Sequence, residues 1–240
     1  KGIYSATGVS SEQEAAKFSP EQEKSTLTGG FMWQKTERVS DIMQLVSSIT
    51  IFIPKDANVE IMQISIQNQS DKPQELTPYA AVPIYGRSAD NIRDHRNVTS
   101  MLHRIQADTH GICVCPTMSF DEKGHRLNSR IYYVMGIASD GSAPVSFYPT
   151  AEDFLGEGGS FTHPRAVSEP LPGVSAPFQT AGKEAMGAFR FKTVSLAPGQ
   201  QAEYTLLLGT ETCRENISHV FQSYNTPSKV QKALKDTKTY

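Results

Sequence analysis

The chain has 240 residues, 38% hydrophobic and 20% charged, with a formal net charge of -2. That length buries a core for one large all-β domain or two small ones. The near-neutral charge excludes a basic field for nucleic acid or an anionic membrane, and no apolar run reaches the roughly 18 residues that span a bilayer.

In chain order, the polar stretch 1–40 reads as a lead-in, with a short helix over 12–18 capped by Ser10 or Ser11. A β pattern starts near Asp41, where Leu45, Ile49, Ile51 and Ile53 share one parity, Ser47 is the polar exception and Pro54 ends the run. A second strand sets Met62, Ile64 and Ile66 on one face, with Gln63, Ser65 and Gln67 on the other. After the polar turn 68–73 comes a third strand over 74–85, whose Pro78 and Pro83 suit an edge or a bulge. Further strands are expected over 98–106, 112–115, 131–137 and 145–148. Two late runs, 188–196 and 202–208, flank the turn Ala197-Pro198-Gly199-Gln200 and read as a closing antiparallel hairpin. Helical spacing follows over 213–224 and 228–235, with Ser228 as the expected N-cap.

Many short strands separated by turn signals define an all-β class, a large antiparallel β-sandwich over 41–210 with short C-terminal helices over 211–240. Segment 141–187 breaks the pattern: it holds 13 of the 31 glycines and prolines. Its aromatics Phe147, Tyr148, Phe154, Phe161 and Phe178 argue against disorder, so an ordered excursion is expected. Cys113, Cys115 and Cys213, an odd and low count, fit a reducing compartment, and the cytoplasm is expected. The sequons at Asn68, Asn97 and Asn216 are read as chance matches. Lys1 is neither an initiator methionine nor the start of an apolar signal core, as in a fragment or a processed chain.

Two clusters carry candidate chemistry. Arg93, His95 and Arg96 concentrate cationic groups that can fork onto phosphate or a carboxylate. The alternative is a solvated loop in which arginine pairs with Asp94. Gly156, Glu157, Gly158, Gly159 and Ser160 let backbone approach a ligand closely, or form a flexible turn. The spacing is not that of a P-loop. Cys113 and Cys115, even with His103 and His110 nearby, match no common zinc spacing and read as buried small hydrophobes. The neighbouring carboxylates Asp121-Glu122 and Glu152-Asp153 are rejected as a catalytic dyad, and the lone Trp33 is weak evidence for sugar stacking. No catalytic residue, metal or cofactor is expected.

The stretch 47–85, with Pro54, Asp56, Val59-Glu60-Ile61, Ile64, Ile66, Asn68 and Ser70-Asp71-Lys72-Pro73, resembles the N-terminal β-sandwich of the cellobiose phosphorylase family, which includes the cyclic β-1,2-glucan synthases. The segments RDHRNVTSMLHRI (93–105) and FYPTAEDFLGEGGSFTHP (147–164) resemble its β-1,2-oligoglucan phosphorylase branch. The resemblance implies a multi-domain inverting phosphorylase in which an (α/α)6 barrel supplies the general-acid Asp and phosphate attacks the anomeric carbon. Its product is α-glucose 1-phosphate. On that view Arg93, His95, Arg96 and the loop 156–160 face substrate or phosphate, the helices over 211–240 lead toward the barrel, and the catalytic Asp has no counterpart here. The implied partners are a β-glucan oligosaccharide, inorganic phosphate and a second copy in a homodimer, with no nucleic acid and no membrane. A stand-alone carbohydrate-binding sandwich and a dimer-building interaction module are the other readings.

Overall fold

A computed structural model describes residues 2–86, 96–121, 124–169 and 171–239, with residues 96, 120 and 121 by backbone alone. Its strands are β1 (Lys24–Gly30), β2 (Trp33–Ser40), β3 (Leu45–Phe52), β4 (Val59–Asn68), β5 (Gln74–Leu76), β6 (Tyr79–Pro83), β7 (His103–Asp108), β8 (Gly111–Pro116), β9 (Met118–Asp121), β10 (Gly124–Leu127), β11 (Ile131–Ala138), β12 (Ser146–Thr150), β13 (Phe178–Ala181), β14 (Ala185–Arg190), β15 (Val194–Leu196) and β16 (Gln201–Glu211). Its helices are α1 (Ser11–Ala15), α2 (Arg96–Leu102), α3 (Ala151–Leu155), α4 (Arg165–Ser168), α5 (Arg214–Tyr224) and α6 (Pro227–Lys238). A nine-stranded antiparallel sheet runs β1-β2-β3-β4-β16-β11-β8-β7-β13, beside smaller sheets β12-β14-β6 and β15-β5. The fold is the expected all-β, antiparallel super-sandwich.

Alternation explains the layers. Along β11, Val134 packs into the core between the sheets, whereas Tyr133 and Ile137 pack into a second core under α5 and α6. Strand β4 divides likewise: Met62 and Ile64 meet the first core, Val59 and Ile61 the second. On the helical side Ile217, Phe221, Val230 and Leu234 are buried at helical spacing. The middle of the large sheet is therefore covered on both faces, which is why β8 and β11 carry no charged residue. Between the sheets the layers interlock. A Cβ on Gly136 would run into Phe189, and one on Gly187 would stand 2.6 Å from Val134 Cβ, so a small residue on each layer receives a large one from the other.

Several expectations change. The sheet begins at Lys24, before Asp41, because β1 and β2 extend it at one edge. Segment 98–106 is not all strand: α2 runs to Leu102, and only from His103 does burial alternate. The third strand splits at Pro78 into β5 and β6, which join different sheets, β6 as an edge. The late closing hairpin does not form: β15 pairs with β5, and β16 with β4 and β11, because the turn after Leu196 carries the chain from one layer to the other. Segment 141–187 is ordered as expected, but its two ends belong to the sandwich itself, since β12 and half of β14 lie there with Phe147 and Tyr148 buried. Thr226, not Ser228, is the N-cap of α6, with Pro227 in its first turn where a missing N–H costs nothing. Ser10 caps α1 through a capping box with Gln13, as one of the two proposed caps.

Asn68 ties the crossovers together. Its side chain is fully buried. Nδ2 donates to the carbonyls of Lys72 at 2.7 Å and Leu196 at 2.8 Å, while Oδ1 accepts from the Ser70 N–H at 2.8 Å and hydroxyl at 2.7 Å. This burial also closes one of the three sequons to glycosylation. Replacing Asn68 with Ala strands these buried groups, so a loss of about 2–4 kcal/mol is expected in urea unfolding, against about 0.5 kcal/mol or less for the exposed neighbour Gln69→Ala.

Candidate functional site

One rim of the sandwich carries the glycine loop. Thr150 and Asp153 start α3 by mutual capping: Thr150 Oγ1 accepts the Asp153 N–H at 3.1 Å, and Asp153 Oδ2 accepts the Thr150 N–H at 3.2 Å and its hydroxyl at 2.7 Å. Buried Phe154 holds the helix down against Tyr148. The helix stops at Gly156, whose φ of 78° favours glycine and whose missing Cβ leaves room for the Arg165 side chain. The Gly156 N–H donates to Glu152 at 3.0 Å and the Gly159 N–H to Gly156 at 3.1 Å, so both are spent within the turn. Ser160 bonds the Thr162 hydroxyl at 2.8 Å, and the Thr162 carbonyl accepts the Ser11 N–H at 2.8 Å, which docks α1 beside the loop. Glu157, Gly158 and Ser160 are exposed.

Next to this loop lies an open recess of about 360 Å³, lined by Phe147, Glu152, Asp153, Gly156, Glu157, Arg165 and residues 171–174. Arg165 forks onto Glu169, Nε to Oε1 at 3.1 Å and Nη2 to Oε2 at 2.8 Å, and this bond holds the Glu169 carboxyl below its ordinary range. Lys183 Nζ stands 2.9 Å from Glu152 Oε2. The cations described at the rim are thus already engaged with carboxylates. That weakens a phosphate role for the loop taken by itself.

The turn 182–184 joins the rim to the start of β7. Its Gly182 N–H donates to the His103 carbonyl at 3.0 Å, and the Glu184 carbonyl accepts the Ala151 N–H at 2.9 Å. His103 Nε2 accepts the Gly86 N–H at 3.1 Å. Of the other predicted cluster, Arg93 and His95 lie outside the described residues. Arg96 opens α2, and its side chain lies outside them too.

The remaining candidates have structural partners. Cys113 is buried in the core under the helices, where burial pushes its thiol up to about 12. His110 stacks on Phe221 with centroids 4.1 Å apart. One ring face of Trp33 is covered by Lys238 Nζ at 4.1 Å. Asp153 is a helix cap and Glu152 an ion-pair partner, so the pair forms no dyad. His163 bridges back to Ser160 within the loop. Among the described residues no group of three or more His, Cys, Asp and Glu is placed to hold a metal, and no helix is long and apolar enough to cross a membrane. Sequence reasoning passed over Arg165 and residues 171–174. The Arg165/Glu169 spacing and the Thr150-x-x-Asp153 cap were the signals available for this region.

A two-layer β-sandwich with helices backing its larger sheet and loops gathered at one rim is the class that fold and site define. The family model for the glycosyl hydrolase 94 supersandwich domain matches residues 15–227, and the chain belongs to that family. This bears out the cellobiose phosphorylase-family sandwich. No curated protein matches the sequence. Among solved structures, a polysaccharide lyase matches with 9% identity and a TM-score of 0.39, over 76% of this chain and 22% of the lyase. A candidate aldose 1-epimerase from Escherichia coli K12 matches with 12% identity and a TM-score of 0.36, over 80% of this chain and 69% of its own. The chain thus spans about a fifth of the lyase, and likenesses this low carry no argument.

The rim makes stability depend on pH. Burial pushes the His103 imidazole below its ordinary 6.5, against a weaker pull from the Lys183 backbone and Glu184. The folded state therefore favours neutral His103, whose contribution is full above about pH 6.5 and is lost as pH falls toward the lowered folded value. His110 is lowered as well, by burial. Urea midpoints should fall between about pH 7.5 and 5.5, and His103→Gln should flatten part of that fall.

Proposed function

We propose that this chain is a non-catalytic sandwich domain of a glycoside phosphorylase that cleaves β-glucans, β-1,2-linked, with inorganic phosphate to give α-glucose 1-phosphate. It shapes or covers a site whose general acid belongs to a barrel domain, with the helices over 211–240 leading toward it, and it supports a homodimer in the cytoplasm. The observation that carries this reading is the supersandwich match over 15–227. The branch rests on the sequence of 93–105 and 147–164. On this reading Arg93, His95 and Arg96 face phosphate, and Gly156, Glu157, Gly158, Gly159 and Ser160 face sugar. The open recess in the sandwich itself favours a second reading, a stand-alone carbohydrate-binding module.

The polypeptide extended past Tyr240 to its native terminus, incubated with phosphate and β-1,2-, β-1,3- or β-1,4-linked oligoglucans, should release glucose 1-phosphate fastest from the β-1,2 substrate. The 240-residue chain should release none. Release from another linkage keeps the family and removes the branch. Absence of release from every linkage, with sugar binding by the short chain, selects the stand-alone module.

A further inference from the structure

We propose that the recess beside Gly156 is a subsite for the uncharged rings of an oligosaccharide and that it excludes phosphate. Its choice of ligand class rests on the phosphorylase reading above. The chemistry comes from its walls. One wall presents Glu152, Asp153 and Glu157, and the one cation among the lining residues, Arg165, is forked onto Glu169. With Glu152 paired to Lys183 and Arg165 to Glu169, a dianion placed there meets the net negative charge of Asp153 and Glu157, so Coulomb repulsion works against it. Sugar hydroxyls are donors, and ionised carboxylates accept hydrogen bonds only. The cap uses Asp153 Oδ2 and Lys183 takes Glu152 Oε2, whereas Glu157, exposed and on the loop itself, offers both carboxylate oxygens to a hydroxyl. The opposite wall, formed by Leu171, Pro172 and Val174, offers apolar surface to the C–H faces of a ring.

The recess is also built in advance. Tyr148 Oη donates to the Leu171 carbonyl at 3.0 Å, and Phe147 exchanges two backbone bonds with Val174, at 2.9 and 2.8 Å. The capping box fixes α3 on the other side. Both walls hang from buried strand β12, so little ordering is left for the ligand to supply. Its volume, about 360 Å³, falls at the small end of ligand sites.

Calorimetric titration of the 240-residue chain with short linear β-glucans, and separately with inorganic phosphate, tests the assignment. Saturable glucan binding is expected, with no saturable response to phosphate. Glu157→Ala should weaken the glucan about tenfold, the loss of one charge-assisted hydrogen bond, whereas Glu157→Gln, which keeps an acceptor, should lose less. Glu157 is exposed on a loop, and unchanged melting of both variants separates binding from folding. Saturation by phosphate, absence of glucan binding, or an unchanged affinity in Glu157→Ala overturns the proposal. The extended polypeptide keeps the two readings apart. Glucose 1-phosphate release without glucan binding at the recess removes the subsite alone, and recess binding without release removes the phosphorylase reading alone.

Discussion

The architecture turns on one buried amide. The chain passes between the two β layers after β4 and again before β16, and both crossings meet at Asn68. Its backbone N–H donates to Gln200 at 3.0 Å and its carbonyl accepts from Gly199 at 2.9 Å, while the side chain holds Lys72, Ser70 and Leu196. A crossover leaves backbone groups that no ladder can satisfy, and in a buried place they have no water. A side-chain amide has both donors and acceptors, so it can pair with carbonyls and N–H groups at once. A hydroxyl has one proton and a carboxylate none. This is a physical reason for asparagine at that position, and it gives content to the I-x-N and S-D-K-P pattern by which the stretch resembles its family.

With the crossings fixed, the large sheet has its two faces assigned, and the rim follows. Strands β12 and β14 must lie flat on β8 and β11, because Gly187 and Gly136 admit Val134 and the Phe189 ring. The connections leaving these strands then emerge together at one edge. Helix α3, the loop 156–160 and the turn 182–184 are neighbours for that reason, although up to 33 residues of sequence separate their members. The carboxylates of the rim are a consequence of helix starts and loop pairing as much as of any ligand. The Asp153 carboxylate accepts from Thr150 at the start of α3, and Glu152 binds Lys183. Among the described residues Glu157 caps no helix and joins no ion pair, which makes it the informative residue there.

What was legible in sequence were elements whose two faces differ. In β4 the alternation of Met62, Ile64 and Ile66 with glutamine and serine showed directly, and the α5 and α6 periodicity likewise. Elements with two similar faces were hidden. All seven residues of β1 are exposed, so no apolar parity marks it, and its partner β2 is half-buried along most of its length with no alternation of faces. Strand β12 was legible over 145–148, whereas the first half of β14 failed in the opposite way: it is buried, and it uses alanine and glycine to let the layers approach, which reads as loop composition. The closing hairpin was misread because a turn says that the chain reverses and not which sheet the next strand joins. For the site, the glycine loop was visible as a composition anomaly. The wall of residues 171–174 was not, since it is held by a backbone bridge to Phe147 that leaves no trace in side-chain type.

The position of His103 ties the rim to the edge of the second layer. Nε2 holds the Gly86 N–H, where the chain leaves the second layer, and α2 delivers the chain back to His103 itself. The two flanks of segment 87–95 are therefore closed on one buried side chain. The sequence of that segment balances Arg87 and Arg93 against Asp90 and Asp94, with His95 beside them, whereas the recess beyond the 182–184 turn is lined by carboxylates. On the proposed reading, a phosphorolytic enzyme has to hold an anion and a neutral ring side by side without letting either occupy the other's place. The carboxylates lining the recess supply the repulsive half of such discrimination, which needs repulsion as well as attraction.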